Sequence, residues 1–184
     1  SQLRALQAQI NPHFLYNTMD MIHWMALKGH TDEISNAVQC LARFYKLTLS
    51  HRSNFMSIEE ELEHVSIYVD LQNMRFKNAI DFVIDIPDEL LNANIPKLTL
   101  QPIVENAVKH GIREKLNGGT IVIATKEDAK DFIIQVTDDG AGFGPQTKKE
   151  DGKSHVGIAN VQKRLALMCE GTLEIESEPE NGCQ

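Results

Sequence analysis

The sequence predicts an α+β protein, a helical hairpin followed by a mixed layer of strands and helices. Three observations carry that prediction. Over roughly the first fifty residues apolar side chains recur at steps of three and four, the spacing of one face of an α-helix. From residue 79 the period drops to two in Ile80-Asp81-Phe82-Val83-Ile84-Asp85-Ile86, as in a strand. Helical and strand-like stretches then alternate, punctuated by Pro and Gly. The change of period places the boundary at residues 53–57, with a helical region over 1–54 and an α/β region over 55–184.

Composition narrows the class. The chain has 184 residues, 42% apolar and 24% charged, with six prolines, which suits one large globular domain or two small ones. A formal charge of −8 argues against nucleic acid or an anionic membrane as the main partner, since either calls for a clustered basic surface. Small phosphates stay open, because a nest of backbone amides binds them whatever the net charge. The three cysteines, Cys40, Cys169 and Cys183, are odd in number and lack metal-ligand spacing; no disulfide framework or zinc site is expected, and a reducing cytosol fits. No stretch reaches the roughly 20 apolar residues of a membrane span. Ser1-Gln2-Leu3-Arg4-Ala5-Leu6 reads as the middle of a helix without a cap, and Gly182-Cys183-Gln184 shows no closing strand. A longer parent protein, with any membrane segment upstream, is therefore expected.

The first helix is expected over 3–24, with Leu3, Leu6, Ile10, Phe14, Asn17, Met21 and Trp24 on one stripe. Pro12 interrupts it, lacking an N–H and crowding the preceding turn, at a cost of about 3 kcal/mol in a helix interior. His13 falls about 100 degrees round from Phe14, at the edge of the packed face. Lys28-Gly29-His30 reads as a stop. A second helix follows with Ile34, Val38, Leu41, Tyr45 and Thr48 in line. So short a turn makes an antiparallel hairpin, and its broad apolar face predicts a homodimeric four-helix bundle. Trp24, Met21 and Met25 read as bundle core, and His23, His30, His51 and His64 as surface or satisfied helix residues.

In the second region Ser57-Ile58-Glu59-Glu60 is a capping box opening a third helix through Leu62, Val65, Val69 and Phe76. The strand at 80–86 ends at Pro87-Asp88. A helix is expected over 97–110, closed by Gly111. Gly118-Gly119 leads into a strand at 120–125, antiparallel to one at 131–137. Residues 139–156, with little apolar content and four glycines, have the length of a lid or binding loop. A helix at 157–169 and a last strand starting over 172–175 complete the pattern.

Three further stretches carry candidate chemistry. In Gln101-Pro102-Ile103-Val104-Glu105-Asn106-Ala107-Val108-Lys109-His110-Gly111, Glu105 and Lys109 share one helical face and Asn106 and His110 the next. An Asn oxygen is a neutral hard ligand suited to Mg2+ that already holds phosphate and water, and Lys109 could supply charge to the phosphates. A solvent-facing ion pair beside a surface Asn has the same pattern. In Asp138-Asp139-Gly140-Ala141-Gly142, a carboxylate at a strand end could accept from an amino group such as adenine's, and the glycines permit close backbone approach; an ordinary turn is the rival. In His155-Val156-Gly157-Ile158-Ala159-Asn160-Val161, a glycine at a helix entrance suits phosphate, or is simply a helix start.

Taken in order, these motifs resemble the Bergerat-type ATP-binding α/β sandwich, and the whole chain resembles the sensor histidine kinases of the LytS and YesM-like class. Gln9-Ile10-Asn11-Pro12-His13-Phe14-Leu15-Tyr16-Asn17 resembles their phosphoacceptor box, and Leu100 to Gly111 their N box. Asp138 to Gly142 resembles the first glycine box, and Gly157-Ile158-Ala159-Asn160-Val161-Gln162-Lys163-Arg164-Leu165 the second. The resemblance implies autophosphorylation on His13 from ATP and Mg2+, with Asn106 a Mg2+ ligand, Asp138 the adenine reader and Lys109 a phosphate contact. It also implies that His110, Gly140, Gly142, His155, Gly157 and Asn160 border the nucleotide. A homodimer, transfer to a response-regulator aspartate and a cytoplasmic location beneath a membrane sensor follow from it.

Departures from the family pattern also matter. Phe14 stands where many histidine kinases carry an acid beside the phosphoacceptor, so the base is either Glu105 or none, His13 attacking as the neutral tautomer. Pro102 replaces a first N-box Asn, and His155 stands where a glycine is usual. Asn17 either positions water for dephosphorylation or hydrogen-bonds within the bundle. Arg75-Phe76 resembles a recurrent family feature without an assigned role.

Overall fold

The computed structural model describes residues 11–50, 53–77, 79–112, 118–127, 132–140, 154–178 and 182–183. The chain divides into two compact units, residues 1–53 with 66–78, and residues 54–65 with 79–184.

The first unit is built from helices α1 (Pro12–Leu27) and α2 (Thr31–Leu49) with the second half of α3 (Ile58–Phe76). Helix α1 does not run through Asn11, as a single helix over 3–24 would require. Asn11 is extended (φ −80, ψ 100), and its side-chain oxygen accepts the Phe14 N–H at 3.2 Å. Pro12 is thus the first helical residue, where its missing N–H would have no intrahelical partner anyway and its fixed φ suits the helix. The interior-proline penalty does not arise. The expected stripe positions Leu3, Leu6 and Ile10 lie outside the described residues. Gly29, at φ +74, ends α1 as the sequence suggests.

An aromatic trio forms the core of this unit. The Phe14 and Phe44 ring centroids are 4.9 Å apart, Phe14 and Tyr68 5.1 Å, and Phe44 and Tyr68 6.4 Å; such pairs add about 0.5–1.5 kcal/mol each beyond area burial. Buried Thr18 and Thr48 donate their hydroxyls to the Phe14 and Phe44 carbonyls, both at 2.9 Å, which satisfies two polar groups inside an apolar contact. The buried faces differ from the expected stripes. On α1 they are Phe14, Thr18 and Met25, with Met21 half-buried and Trp24 56% exposed. On α2 they are Ala37, Phe44, Leu47 and Thr48, while Val38 is 47% exposed. Each helix has an apolar face wider than one neighbour covers, and Tyr68 on α3 selects which flank is buried.

Helix α3 starts as predicted: the Ser57 hydroxyl accepts the Glu60 N–H at 3.1 Å, and the Glu60 carboxylate accepts the Ser57 N–H at 3.1 Å. Its first half belongs to the second unit and its second half to the first.

The second unit carries a two-stranded sheet of β1 (Phe55–Ser57) and β3 (Asn94–Pro96), and a sheet ordered β2-β4-β5-β7-β6. Strand β2 is Ile80–Asp85, β4 Gly119–Glu127, β5 Phe132–Asp138, β6 Ser177–Glu178 and β7 Gly182–Cys183. Strands β2 and β4 are parallel; β4 and β5 are antiparallel, as expected, with Ile121 opposite Asp138. Alternating Ile121 and Ile123 are fully buried, as are Val104 and Ile58 from the helices. Gly118, at φ +72, delivers the chain into β4 so closely that a Cβ there would lie 2.0 Å from the Ala79 carbonyl oxygen. No other residue fits.

Three expected boundaries move. The helix expected over 97–110 is α4, Leu100–Asn106, followed by a π-helical turn at Ala107–Ile112, so Gly111 lies inside that turn and caps nothing. The helix expected at 157–169 is α5, Ser154–Cys169, so Gly157 is its fourth residue rather than its entrance. Residues 171–176 form no strand; β6 begins at Ser177, and Gly182–Cys183, read as irregular, pairs with both β5 and β6. Chain-terminal strands this short carry too few side chains for a visible alternation.

Candidate active site

The second unit carries the predicted site residues other than His13. Helix α4 is only seven residues long, too short to hold itself together, and its start is fixed from outside. The buried Glu61 carboxylate on α3 accepts the backbone N–H groups of Leu98 at 2.5 Å, Thr99 at 3.0 Å and Leu100 at 2.9 Å. Arg164 on α5 donates to the carbonyls of Lys97 at 2.6 Å and Leu98 at 2.5 Å. Burial is the largest influence on Glu61 and pushes its carboxyl up; the three N–H bonds and Arg164 oppose it. Burial likewise lowers the Arg164 guanidinium and the Lys97 amine, with Glu61 opposing in both cases.

Downstream, Glu105 and Asn106 are half-buried at the end of α4, and the Gln101 side-chain amide donates to Glu105 at 3.0 Å. Lys109 is exposed within the π turn, which also contains His110. Such turns are rare and concentrate at functional positions. This turn packs against β4, β5 and β7, which puts it beside the strand end that carries Asp138. Asp138 is 7% exposed, and its carboxylate accepts the Gly140 N–H at 2.9 Å. Asp139 anchors the same corner, accepting the Thr120 N–H at 2.7 Å. The corner therefore presents a carboxylate of fixed orientation, an acceptor for an amino group. Helix α5 packs on α4, with Gly157 facing Pro102; a Cβ at Gly157 would sit 3.7 Å from the Pro102 Cβ, an ordinary contact. His155 lies in the first turn of α5, and Asn160 is exposed one turn further on. Gly142, and most of the expected binding loop over 139–156, lie outside the described residues.

His13 belongs to the other unit. It is exposed as the second residue of α1, and the Asn17 side-chain amide lies 3.1 Å from its Nδ1 and 3.3 Å from its Nε2. Asn17 therefore lies against the imidazole.

Two family models match this chain: a histidine kinase model over residues 1–80, and a model described as histidine kinase-, DNA gyrase B-, and HSP90-like ATPase over residues 95–184. The chain belongs to the histidine kinase family. Among relatives of this kinase, the sensor histidine kinase YesM of Bacillus subtilis is 35% identical over 99% of the chain and 32% of its own length. The sensor histidine kinase BtsS of Escherichia coli is 34% identical over 90% of the chain and 28% of its length. Sensor protein LytS of Oceanobacillus iheyensis is 31% identical over 90% and 30%. The kinase thus spans about a third of these relatives' length, and its likeness to them is that of the LytS and YesM-like class. Its fold is similar to that of the histidine kinase domain from the Erythrobacter litoralis EL346 blue-light activated histidine kinase, with a TM-score of 0.53 at 14% identity over 99% of this chain and 87% of that one. Its second unit has the fold of an ATP-binding domain of the Bergerat type.

Sequence reasoning missed Glu61, Arg164 and Gln101. Glu61 ends a run of three acids in the first turn of α3, where acids are expected merely to favour the helix dipole. Arg164 stands in the stretch that resembles the second glycine box, where the sequence assigns it no role of its own. Only the packing of three helices shows that these charges are buried.

Proposed function

We propose that this kinase core uses Mg-ATP to phosphorylate His13 and passes the phosphoryl group to an aspartate of a response regulator. The reading treats residues 1–54 as the dimerisation and phosphoacceptor region and residues 55–184 as the ATP-binding region. It places the protein at the cytoplasmic side of a membrane sensor whose spanning segment lies outside this chain. What supports it above all is His13, exposed at the start of α1 with the Asn17 side-chain amide against its ring.

A neutral imidazole has one nitrogen lone pair, nucleophilic near pH 7. That nitrogen forms the bond to the γ-phosphorus as the bond to the bridging oxygen breaks, and ADP leaves with the electron pair. Phosphoryl transfer needs positioning and charge neutralisation more than covalent assistance. The oxygen of Asn106 fits Mg2+, a hard cation that keeps waters and phosphate as its other ligands. When bound, the ion would neutralise charge on the phosphates. Lys109 supplies a further positive charge, and Asp138, fixed by Gly140, accepts from the adenine amino group. His110, Gly140, Gly142, His155, Gly157 and Asn160 border the nucleotide. Glu105, oriented by Gln101, is the candidate base.

Incubation with labelled ATP and Mg2+ tests the assignment. The wild type is expected to take up an acid-labile, base-stable label that His13→Gln lacks while still binding ATP. Undiminished label in His13→Gln would overturn it.

A further inference from the structure

Leu98 is a non-glycine residue at φ +60, a conformation that costs about 1–3 kcal/mol and persists only where its surroundings over-determine it. Its surroundings do so here. Its N–H is taken by Glu61 from α3 and its carbonyl by Arg164 from α5, so both peptide groups flanking one strained residue are held by side chains from different helices. The same carboxylate takes the next two N–H groups, and the same guanidinium takes the preceding carbonyl. Glu61 is 0% exposed, so water cannot readily replace it, and Arg164 is half-buried.

The clamp closes on the turn that launches α4. Asn106 stands at the far end of that helix, less than two turns on, and Gly157 stands on the helix that carries Arg164. A slip at Leu98 is therefore carried directly to Asn106 and to the Gly157–Pro102 contact.

We propose that Glu61 and Arg164 are positioning residues of the nucleotide site, setting the register of α4 so that Asn106 meets the metal-bound phosphates while tying α5 to the same turn. This rests on the ATP-site reading above. Neither residue touches nucleotide in this account. The clamp requires geometry as well as charge: Glu61→Gln keeps the shape but presents one acceptor oxygen to three N–H groups, and Arg164→Lys keeps the charge but loses the planar pair of donors that reaches two carbonyls.

The test is ATP affinity in the presence of Mg2+, measured on the full chain as wild type, Glu61→Gln, Arg164→Lys and the double variant, at a temperature where circular dichroism shows each folded. Each single variant is expected to weaken ATP binding roughly tenfold, the size of one lost buried charged hydrogen bond. The double variant should be little worse than the weaker single, because the two side chains act on one turn. Lowered melting temperatures with ATP affinity within about twofold of wild type would overturn the proposal and leave the pair as structural support. If Glu61→Gln does not fold, Arg164→Lys alone decides by the same criterion. A wild type that binds no ATP would instead overturn the reading of the site, and this inference with it.

Discussion

Glu61 is a carboxylate pulled in two directions, and its titration tests which pull is larger. Burial raises its pKa from 4.5 against the three N–H bonds and Arg164. A raised folded-state pKa means that the native protein holds this proton more tightly than the unfolded chain does. The resulting stability is fully present below about pH 4.5 and is lost as pH rises through the folded value. Glu61→Gln cannot titrate and lacks this component. The stability difference between wild type and variant should therefore shift steadily against the wild type as pH rises from 4.5, followed by urea unfolding at a series of pH values. A difference that moves the opposite way would mean that the N–H bonds and Arg164 outweigh burial. At this scale the sequence displays residues whose chemistry is local: His13 beside Pro12, Asp138 before Gly140, Asn106 on its helix. It hides Glu61, which differs from Glu59 and Glu60 only by facing inward.

At the scale of elements, legibility follows how local the determinants are. The Ser57–Glu60 capping box, the stop at Gly29 and the β4–β5 pairing each depend on residues close in sequence, and each forms as read. The π turn, the late start of α4 and the buried flanks of α1 and α2 depend on partners far along the chain, so periodicity alone misplaces them. Gly118 lies between these cases. Its neighbour Gly119 suggests a turn, but the reason for glycine is the Ala79 carbonyl just before β2, which also accepts the Gly119 N–H at 2.9 Å. Gly118→Ala should cost about 1–3 kcal/mol from the positive φ alone, with the 2.0 Å approach adding to it. The loss should appear as a lower urea midpoint for the ATP-binding unit. An unchanged midpoint would mean that the β2–β4 junction can open without penalty.

At the scale of the whole molecule, the described residues of the first unit leave an apolar stripe of α1 uncovered. Tyr16, Met19 and Leu27 are 74%, 54% and 65% exposed along one stripe of α1, with Trp24 beside it at 56%. Val38 on α2 adds to the exposed apolar area of the same unit. Single exposed apolar residues are unremarkable, but a stripe of this length marks an interaction surface. The flank of α2 that carries Val38 is also the one expected from sequence to face a core. Both facts are accounted for if the two helices bury one flank within the chain and the other against a second copy, as in a four-helix bundle. The whole chain is then expected to sediment as a dimer, and Trp24→Glu with Leu27→Glu should shift it to monomer while helix content by circular dichroism stays unchanged. Because the contact is apolar, 1 M salt, which shortens electrostatic range to about 3 Å, should leave the wild-type dimer intact. A wild type that sediments as a monomer at micromolar concentration, or a double variant that stays dimeric, would move the dimer contact elsewhere and leave the stripe on α1 for a different partner.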